Sequence, residues 1–319
     1  MTASGDSQLS LAKHDVPVLV AASGGADSTA LLRLMLDAGN TVVVAHVQHR
    51  LRGGESVGDA LFVQELCASL RVECVVVEAP VGNSAGNLEA NARNARYAAF
   101  EQVAVARDIG TVATGHTADD QAETVLHRLI RGTGLTGLCG IPAERMHRGL
   151  RLIRPVLHLE HAALLDYLGR IGQPYRTDSS NADMRFTRNR IRTELVPLLK
   201  TFRPDVVRSL TALCHQAGEA VERLTQAAQQ QLAQLELPRA GAVVLLNRTK
   251  FHSLPVAEGV DVLRLLWVRE AWPQRAMTAA LWRELAHFDG VAKDLPGGLR
   301  IEVRDRTVRL GPRIALLGA

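Results

Sequence analysis

The sequence predicts an α/β protein: a doubly wound, mainly parallel sheet followed by a helical connector and a small α+β domain. Short apolar runs alternate with amphipathic helical patterns over residues 16–131, which is typical of a parallel sheet covered by helices. A glycine turn directly follows the first apolar run, residues 16–22. The connector is predicted by a long apolar stripe over residues 206–235, and the last domain by a change of composition after Pro238.

The composition is that of a globular protein with room for two domains. The chain has 319 residues, of which 47% are hydrophobic, and it contains no uncharged apolar run of about 18 residues that could span a membrane. Its first residues lack a basic-then-apolar signal segment, so we expect a cytoplasmic protein. The four cysteines have no metal-ligand spacing and are expected to be reduced core residues. The formal net charge of +4 permits an acidic partner such as RNA without requiring one.

The pattern predicts three segments: 1–200, 201–238 and 239–319. The expected elements of the first alternate along the chain: strand 16–22, helix 27–38, strand 41–46, helix 56–70, strand 72–77, helix 88–108, strand 111–114, helix 118–131, a strand near 150–153 and a helix near 159–171. The second segment is the helical connector, although an ordinary packing helix explains its apolar stripe equally well. The third is the small α+β domain, with residues 296–298 as a turn between strands.

The stretch from strand to helix near residue 23 predicts an anion site. A buried strand, a glycine pair and a helix N-terminus surround one point with free N–H groups and the positive end of the helix dipole. Both the lysine of a Walker A loop and a G-x-G-x-x-G motif are missing. A carboxylate such as Asp27 beside a polyphosphate is repulsive unless a metal bridges them, so Asp27 is the candidate metal ligand. The alternative is that Ser23 or Asp27 only caps the helix. The candidate binding residues are Ser23, Gly24, Gly25, Ala26, Asp27 and Ser28.

The loops after the second and third predicted strands are weaker candidates. Residues 46–56, beginning with His46, leave the second strand beside the anion site, where an adenine or a ribose could rest. Arg96, near the start of the third helix, could be delivered to a nucleotide. Taken alone, the better reading of this helix is a surface pattern in which Glu89 and Arg93 pair at helical spacing.

The fourth predicted strand ends in a histidine and a group of acids. His116 follows the strand, and Asp120 and Glu123 are three residues apart, so they share one helix face. Thr117 and Asp120 also fit a capping box, which explains these two residues but not Glu123. Acids on a helix at the carboxyl end of a strand favour a site for a cationic substrate or a metal.

Two later stretches complete the set of candidates. Residues 131–142 are a glycine-rich loop that is too apolar for a mere linker. Four arginines then fall within eight residues that contain no acid, and such a basic stripe suits RNA phosphates. A solvated helix face is the alternative. The four are Arg185, Arg188, Arg190 and Arg192.

Five motifs in order resemble the tRNA(Ile)-lysidine synthetase branch of the PP-loop superfamily, the N-type ATP pyrophosphatases. They lie at residues 23–28, 46–56, 87–97, 114–142 and 176–192. Five motifs in a common order are far more specific than any single one. The part after residue 238 is similar, less closely, to the small tRNA-contacting domain of that family. Longer members carry a further C-terminal domain, which we expect to be missing here, and the resemblance also implies a homodimer.

The resemblance implies ligation of free L-lysine to C2 of the wobble cytidine, position 34, of the CAU-anticodon tRNA(Ile). ATP and Mg²⁺ would bind at residues 23–28 and His46, and O2 of the cytidine would attack the α-phosphorus and release pyrophosphate. Asp120 and Glu123 would hold the cationic lysine, and its ε-amine would then displace AMP at C2. The residues implied in catalysis are Asp27, Arg96, His116, Asp120, Glu123 and Arg188, and those implied in tRNA contact are Arg185, Arg188, Arg190 and Arg192.

Other classes of protein remain as alternatives. A tRNA thiolase on the same scaffold generally needs paired cysteines, and the sequence spacing of Cys67, Cys74, Cys139 and Cys214 indicates no pair. An amide synthetase, such as an NAD or GMP synthetase, would not need the arginine stripe. A nucleotide-binding regulator without catalysis would not need the acidic face around Glu123.

Overall fold

A computed structural model describes residues 9–48, 54–79, 88–177 and 187–317 of the chain. The chain divides into two compact units, Met1–Ala217 and Gly218–Ala319. The boundary falls inside one long helix, Val206–Leu235, whose two ends therefore belong to different units. In the described ranges, no helix is both long and apolar enough to cross a membrane.

A six-stranded sheet organises the first unit. Its order in space is β3-β2-β1-β4-β6-β5, and all neighbouring strands are parallel except the edge pair β5–β6. The chain reverses its direction of winding between β1 and β4, where doubly wound sheets bind their ligands. The predicted fold class is confirmed. The strands are β1 Val18–Ala21, β2 Val42–Gln48, β3 Glu73–Glu78, β4 Thr111–Thr114, β5 Glu144–His147 and β6 Leu150–Ile153.

Helices cover both faces of this sheet because its central strands are apolar on both sides. Val18 and Val20 of β1 lie in one core cluster, whereas Leu19 between them lies in another. Each fully buried side chain of this size contributes about 1.5–3 kcal/mol. The helices are α1 Ala26–Asp37, α2 Gly54–Leu70, α3 Leu88–Ala106, α4 Ala118–Ile130, α5 Leu135–Leu138, α6 His161–Arg170, α7 Thr187–Arg190, a π-helical turn Ile191–Leu195, α8 Val196–Phe202 and α9 Val206–Leu235.

The second unit is a five-stranded antiparallel sheet packed against helices. Its order is β7-β8-β11-β10-β9, and its core holds Trp267 together with Leu232 and Leu235 from the end of α9. The predicted turn at residues 296–298 lies between β9 and β10, where Gly297 has a φ of +79°. The elements are β7 Glu236–Ala240, β8 Val243–Asn247, α10 Arg248–His252, α11 Val256–Arg269, α12 Ala279–Ala286, β9 Ala292–Leu295, β10 Leu299–Arg304, β11 Thr307–Pro312 and α13 Arg313–Leu317.

Candidate active site

The phosphate loop, residues 23–28, connects β1 to α1. Gly24 has a φ of +91°, and a Cβ at this position would lie 3.3 Å from the Phe62 ring, so glycine is required twice over. The backbone of Arg176 runs alongside this loop, since its N–H donates to the Gly24 carbonyl at 2.9 Å. The two segments are thereby held together although they are far apart in the sequence.

Serine hydroxyls hold the shape of the phosphate loop. Ser28 Oγ donates to the Gly25 carbonyl at 3.0 Å and lies 3.1 Å from Ser23 Oγ. The N-cap of α1 is Gly25, which has no side chain with which to cap the helix. The alternative that Ser23 or Asp27 caps this helix is therefore wrong, and the N–H groups of its first turn, starting at Ala26, can bind an anion.

The carboxyl end of β4 packs directly on the first turn of α1. A Cβ on Gly115 would lie 3.1 Å from three backbone atoms, the Asp27 carbon and oxygen and the Ser28 nitrogen. Only glycine allows this approach without a shift of the backbone. It brings His116 and the start of α4 to the same edge of the sheet as the phosphate loop.

His161, at the start of α6, contacts Asp27 and was missed by the sequence analysis. Its Nδ1 lies 2.6 Å from Asp27 Oδ1, and its backbone N–H donates to Asp119 Oδ2 at 2.7 Å. The hydrogen bond to Asp27 raises the pKa of His161 above its ordinary value. No local pattern points to this pair, because the two residues are 134 positions apart.

Asp120 and Glu123 share one face of α4, as their spacing predicts, but only Asp120 takes part in capping the helix. Asp120 Oδ2 accepts from the Thr117 N–H at 3.0 Å, and the Thr117 hydroxyl caps α4 in return, so the capping box is confirmed. Glu123 takes no part in the cap and is only 2% exposed. A buried carboxylate requires positively charged partners.

Those partners are two arginines of the basic stripe. Arg192 Nε donates to Glu123 Oε1 at 2.6 Å, and Arg188 Nε donates to Glu123 Oε2 at 3.1 Å. Arg188 Nη2 also donates to Asp120 Oδ1 at 3.0 Å. The two acids together therefore bind cations, and in this arrangement the cations are guanidinium groups of the chain itself. Contact of these two arginines with RNA stays a prediction.

The other two arginines of the stripe differ from this pair. Arg190 is exposed and forms an i,i+4 pair with Glu194 at 3.1 Å, which contributes little stability. Arg185 lies outside the described residues. Contact of both with tRNA also stays a prediction.

His116 sits at the end of β4, with its Nδ1 2.9 Å from the Thr114 hydroxyl. Burial lowers the pKa of His116 to about 4, so the ring is neutral at pH 7.

Arg96, the other basic candidate, has an exposed side chain on α3, one residue before the buried Tyr97. Its contact with a nucleotide stays a prediction.

His46 lies in β2 and is buried. Its Nδ1 is 2.9 Å from the carbonyl of Ala22, the residue before the phosphate loop, and burial lowers its pKa. The ring thus supports the backbone that leads into the loop. Direct contact of His46 with a nucleotide stays a prediction.

Two cysteines that the sequence spacing did not pair are neighbours in the fold. The thiol of Cys67 is close enough to that of Cys74 for this neighbour to raise the pKa of Cys67. Cys67 is buried at the end of α2, and Cys74 is the second residue of β3. They lie toward the amino end of the sheet, away from the edge that carries the phosphate loop, so they do not supply a sulfur site there.

A parallel sheet with a glycine loop and an uncapped helix start at its switch point defines an α/β nucleotide-binding domain. The PP-loop domain family matches residues 5–199. The chain therefore belongs to the PP-loop family, whose members use ATP.

Several curated relatives carry the name tRNA(Ile)-lysidine synthase. The protein from Rhodopirellula baltica is 38% identical over 239 residues, which are 66% of this chain and 60% of that one. The proteins from Bacillus subtilis and Symbiobacterium thermophilum are 33% and 34% identical over 89% and 93% of this chain. The chain spans 60–66% of the length of these three relatives.

A solved structure shows the same fold at low identity. The U34-tRNA thiolase from Methanococcus maripaludis superposes with a TM-score of 0.55 at 17% identity, covering 65% of this chain and 72% of the thiolase. At this identity the likeness concerns the fold alone.

Proposed function

We propose that this protein ligates free L-lysine to C2 of the wobble cytidine, position 34, of the CAU-anticodon tRNA(Ile), using ATP. O2 of the cytidine attacks the α-phosphorus of ATP and releases pyrophosphate. The ε-amine of lysine then attacks C2, loses a proton and displaces AMP. The observation that carries the proposal is that a phosphate loop meets the acid pair Asp120 and Glu123, of which Glu123 is buried, at one edge of the sheet, and the named relatives support it.

The phosphate loop is suited to the first step. The N–H groups at the start of α1 bind the β- and γ-phosphates and stabilise the charge that develops on the leaving pyrophosphate. Asp27 is the residue that would hold Mg²⁺, which usually binds through one or two carboxylates together with substrate phosphates. Asp27 fits this role because it lies in the first turn of the phosphate-loop helix. The contact that the structure describes for its carboxylate is with His161. The ion, when bound, neutralises phosphate charge.

The acid pair is suited to the second step. Asp120 and Glu123 already hold two guanidinium groups, so their oxygens are arranged for cations. We expect the ammonium group of lysine to compete with Arg188 and Arg192 for these oxygens. An arginine released in this exchange is free to contact the phosphate of the adenylated cytidine. His116, neutral at pH 7, can accept a hydrogen bond beside the reacting atoms.

Three segments of the chain have different roles in this proposal. Residues 1–200 form the catalytic domain, 201–238 the connector and 239–319 a small domain that contacts the tRNA. The arginines at 185, 188, 190 and 192 face the anticodon loop when it is bound. The homodimer that the resemblance implies is part of the same proposal.

The test is direct transfer of label. The protein is incubated with ATP, labelled lysine and a CAU-anticodon isoleucine tRNA transcript, and label on the RNA is measured together with AMP and pyrophosphate. We expect label on this tRNA and none when ATP is omitted. The CAU-anticodon methionine tRNA is the control for discrimination. AMP release without lysine on the RNA would contradict the proposal and point to another PP-loop modification, such as thiolation.

A further inference from the structure

Two arginines lie over the ring of Tyr97 and a third lies near them, and the proposed reaction has no role for the three. The Cζ atoms of Arg93 and Arg145 lie 5.3 and 5.6 Å from the ring centroid. The charges of Arg93 and Arg145 also act on Arg154, which places all three in one cluster. The ring holds the guanidinium groups of Arg93 and Arg145 by cation–π contact. Arg93, Arg145 and Arg154 are called the arginine cluster below.

The arginine cluster carries positive charge that the described part of the chain does not neutralise. In the described ranges, none of its three members forms an ion pair, whereas Arg148 of the same β5–β6 hairpin pairs with Glu101 at 3.2 Å. Arg154 is only 4% exposed, and its Nη1 donates to a backbone carbonyl. Its Nε and that of Arg145 are buried and have no hydrogen-bond partner among the residues that the structure describes. Burial lowers the pKa of Arg154, and the nearby charges of Arg145 and Arg93 lower it further.

Such a cluster is costly to a folded chain unless an anion completes it. Buried donors are almost always hydrogen-bonded, and buried charges are almost always paired. Guanidinium groups with free N–H donors match phosphate oxygens in both charge and geometry. The arginine cluster therefore has the chemistry of a phosphate site.

The position of the cluster separates it from the triphosphate of ATP. Arg154 directly follows β6, and Arg145 on β5 is in register with Leu152 of β6, so both lie near the carboxyl end of that strand. β6 is two strands from β1, about 10 Å along the sheet, on the side away from β2. The charges of Arg93 and Arg154 act on His116, which follows β4, the strand between β1 and β6.

We propose that the arginine cluster binds a phosphodiester group of the RNA substrate, next to the nucleotide that is modified. This inference rests on the proposed function, in which the second substrate at this edge is an RNA. One phosphate held beside His116 fixes the strand while its neighbouring base is turned toward the phosphate loop.

The experiment compares variants in RNA binding and ATP binding. Arg93→Gln and Arg145→Gln are chosen because Arg154 is buried and its loss could unfold the protein. Each is expected to weaken binding of the CAU-anticodon isoleucine tRNA about tenfold. Each should also reduce the slope of log affinity against log salt by about 0.7, the value for one single-strand phosphate contact. ATP affinity should stay unchanged, and the melting temperature of the RNA-free protein should not fall, because each change removes one charge from an unneutralised cluster.

The matched control is Arg107→Gln. Arg107 lies just past the other end of α3 and pairs with Glu73 at 2.7 Å, so this variant removes one positive charge away from the cluster. Its tRNA affinity and salt slope should match those of the unaltered protein. Arg145→Lys keeps the charge and should recover part of the affinity that Arg145→Gln loses.

Two results would overturn the inference. One is tRNA binding by Arg93→Gln and Arg145→Gln that equals the Arg107→Gln control. The other is a loss of ATP affinity in place of RNA affinity, which would assign the cluster to the phosphates of the nucleotide. Lysine transfer by the unaltered protein is measured separately. Arginine-dependent tRNA binding without lysine transfer would overturn the proposed ligation and still support the RNA site.

Discussion

Asp27 lies where three parts of the first unit meet: the phosphate loop, the end of β4 and the start of α6. Its backbone is in close contact with the position of Gly115, and its carboxylate bonds His161. Asp27→Asn keeps the size and removes the charge that a metal requires. We expect ATP-dependent pyrophosphate release to fall at least about 100-fold, as measured with labelled ATP. The control is Asp166→Asn, which changes an exposed acid of α6 and should leave the rate of pyrophosphate release unchanged. If Asp27→Asn released pyrophosphate as fast as the unaltered protein, Asp27 would not be a metal ligand.

Glu123 is buried and binds two guanidinium groups. Removing its charge is therefore the most direct test of the proposed lysine site. Glu123→Gln should raise the KM for lysine about tenfold with little change in the KM for ATP, because one charge-assisted contact is lost. The free energy of unfolding should fall by about 1–3 kcal/mol, since two guanidinium groups lose part of their partner. Steady-state kinetics with each substrate varied in turn measures the split. Glu194→Gln, which affects only the exposed Arg190 pair, is the control, and equal losses for lysine and ATP would count against the assignment.

His116 predicts a specific pH dependence of stability. Its pKa is about 4 in the folded protein and about 6.5 when unfolded, so the unfolded state takes up the proton first. The neutral His116 ring therefore makes its full contribution to the free energy of unfolding above pH 6.5. This contribution is lost as the pH falls from 6.5 toward 4, by up to about 3 kcal/mol. Urea unfolding across this range should show a flatter pH dependence for His116→Gln. The same change at the exposed His215 should leave the curve as it is.

At the scale of elements, one glycine decides how the phosphate loop and the acidic helix α4 come together. Gly115→Ala would place a Cβ 3.1 Å from backbone atoms of α1, and backbone cannot move aside as a side-chain end can. We expect a loss of about 1–3 kcal/mol in stability together with slower pyrophosphate release. Gly110→Ala is the matched control, because a Cβ at the other end of β4 meets no atom within 4 Å. Equal stability and rate in the two variants would mean that the close approach is not required.

The sequence predicted the regular elements well and the irregular ones poorly. The apolar steps of α9 and the buried run of β1 are local patterns, and both elements lie where they were expected. β5, with the sequence Glu-Arg-Met-His, has no such pattern and is a strand only because β6 pairs with it. The loop expected at 131–142 contains the short helix α5. Pairing partners and short helices depend on tertiary contacts that one segment does not encode.

At the scale of the whole molecule, the second unit carries its own basic surface. A shallow groove at the tip of its β10–β11 hairpin is lined by Leu245, Arg304, Asp305, Arg306, Thr307 and Arg309. The double change Arg306→Gln and Arg309→Gln should weaken binding of the isoleucine tRNA and lower its salt slope by about 1.4, while ATP binding stays unchanged. Fluorescence anisotropy at several salt concentrations measures this. The control is the double change Arg275→Gln and Arg283→Gln, at two other exposed arginines of this unit. If tRNA affinity fell equally in both double variants, the groove would not be a specific tRNA-binding surface.

The sequence by itself determined the order of strands and helices, the phosphate loop and the family resemblance, because apolar periodicity and glycine positions are properties of adjacent residues. Only the tertiary structure decided which charges face each other. Asp27 meets His161 across 134 positions, and Glu123 meets Arg192 across 69. The arginine cluster likewise joins α3 to the β5–β6 edge. These contacts depend on the order of the strands in the sheet, which brings distant segments to one edge.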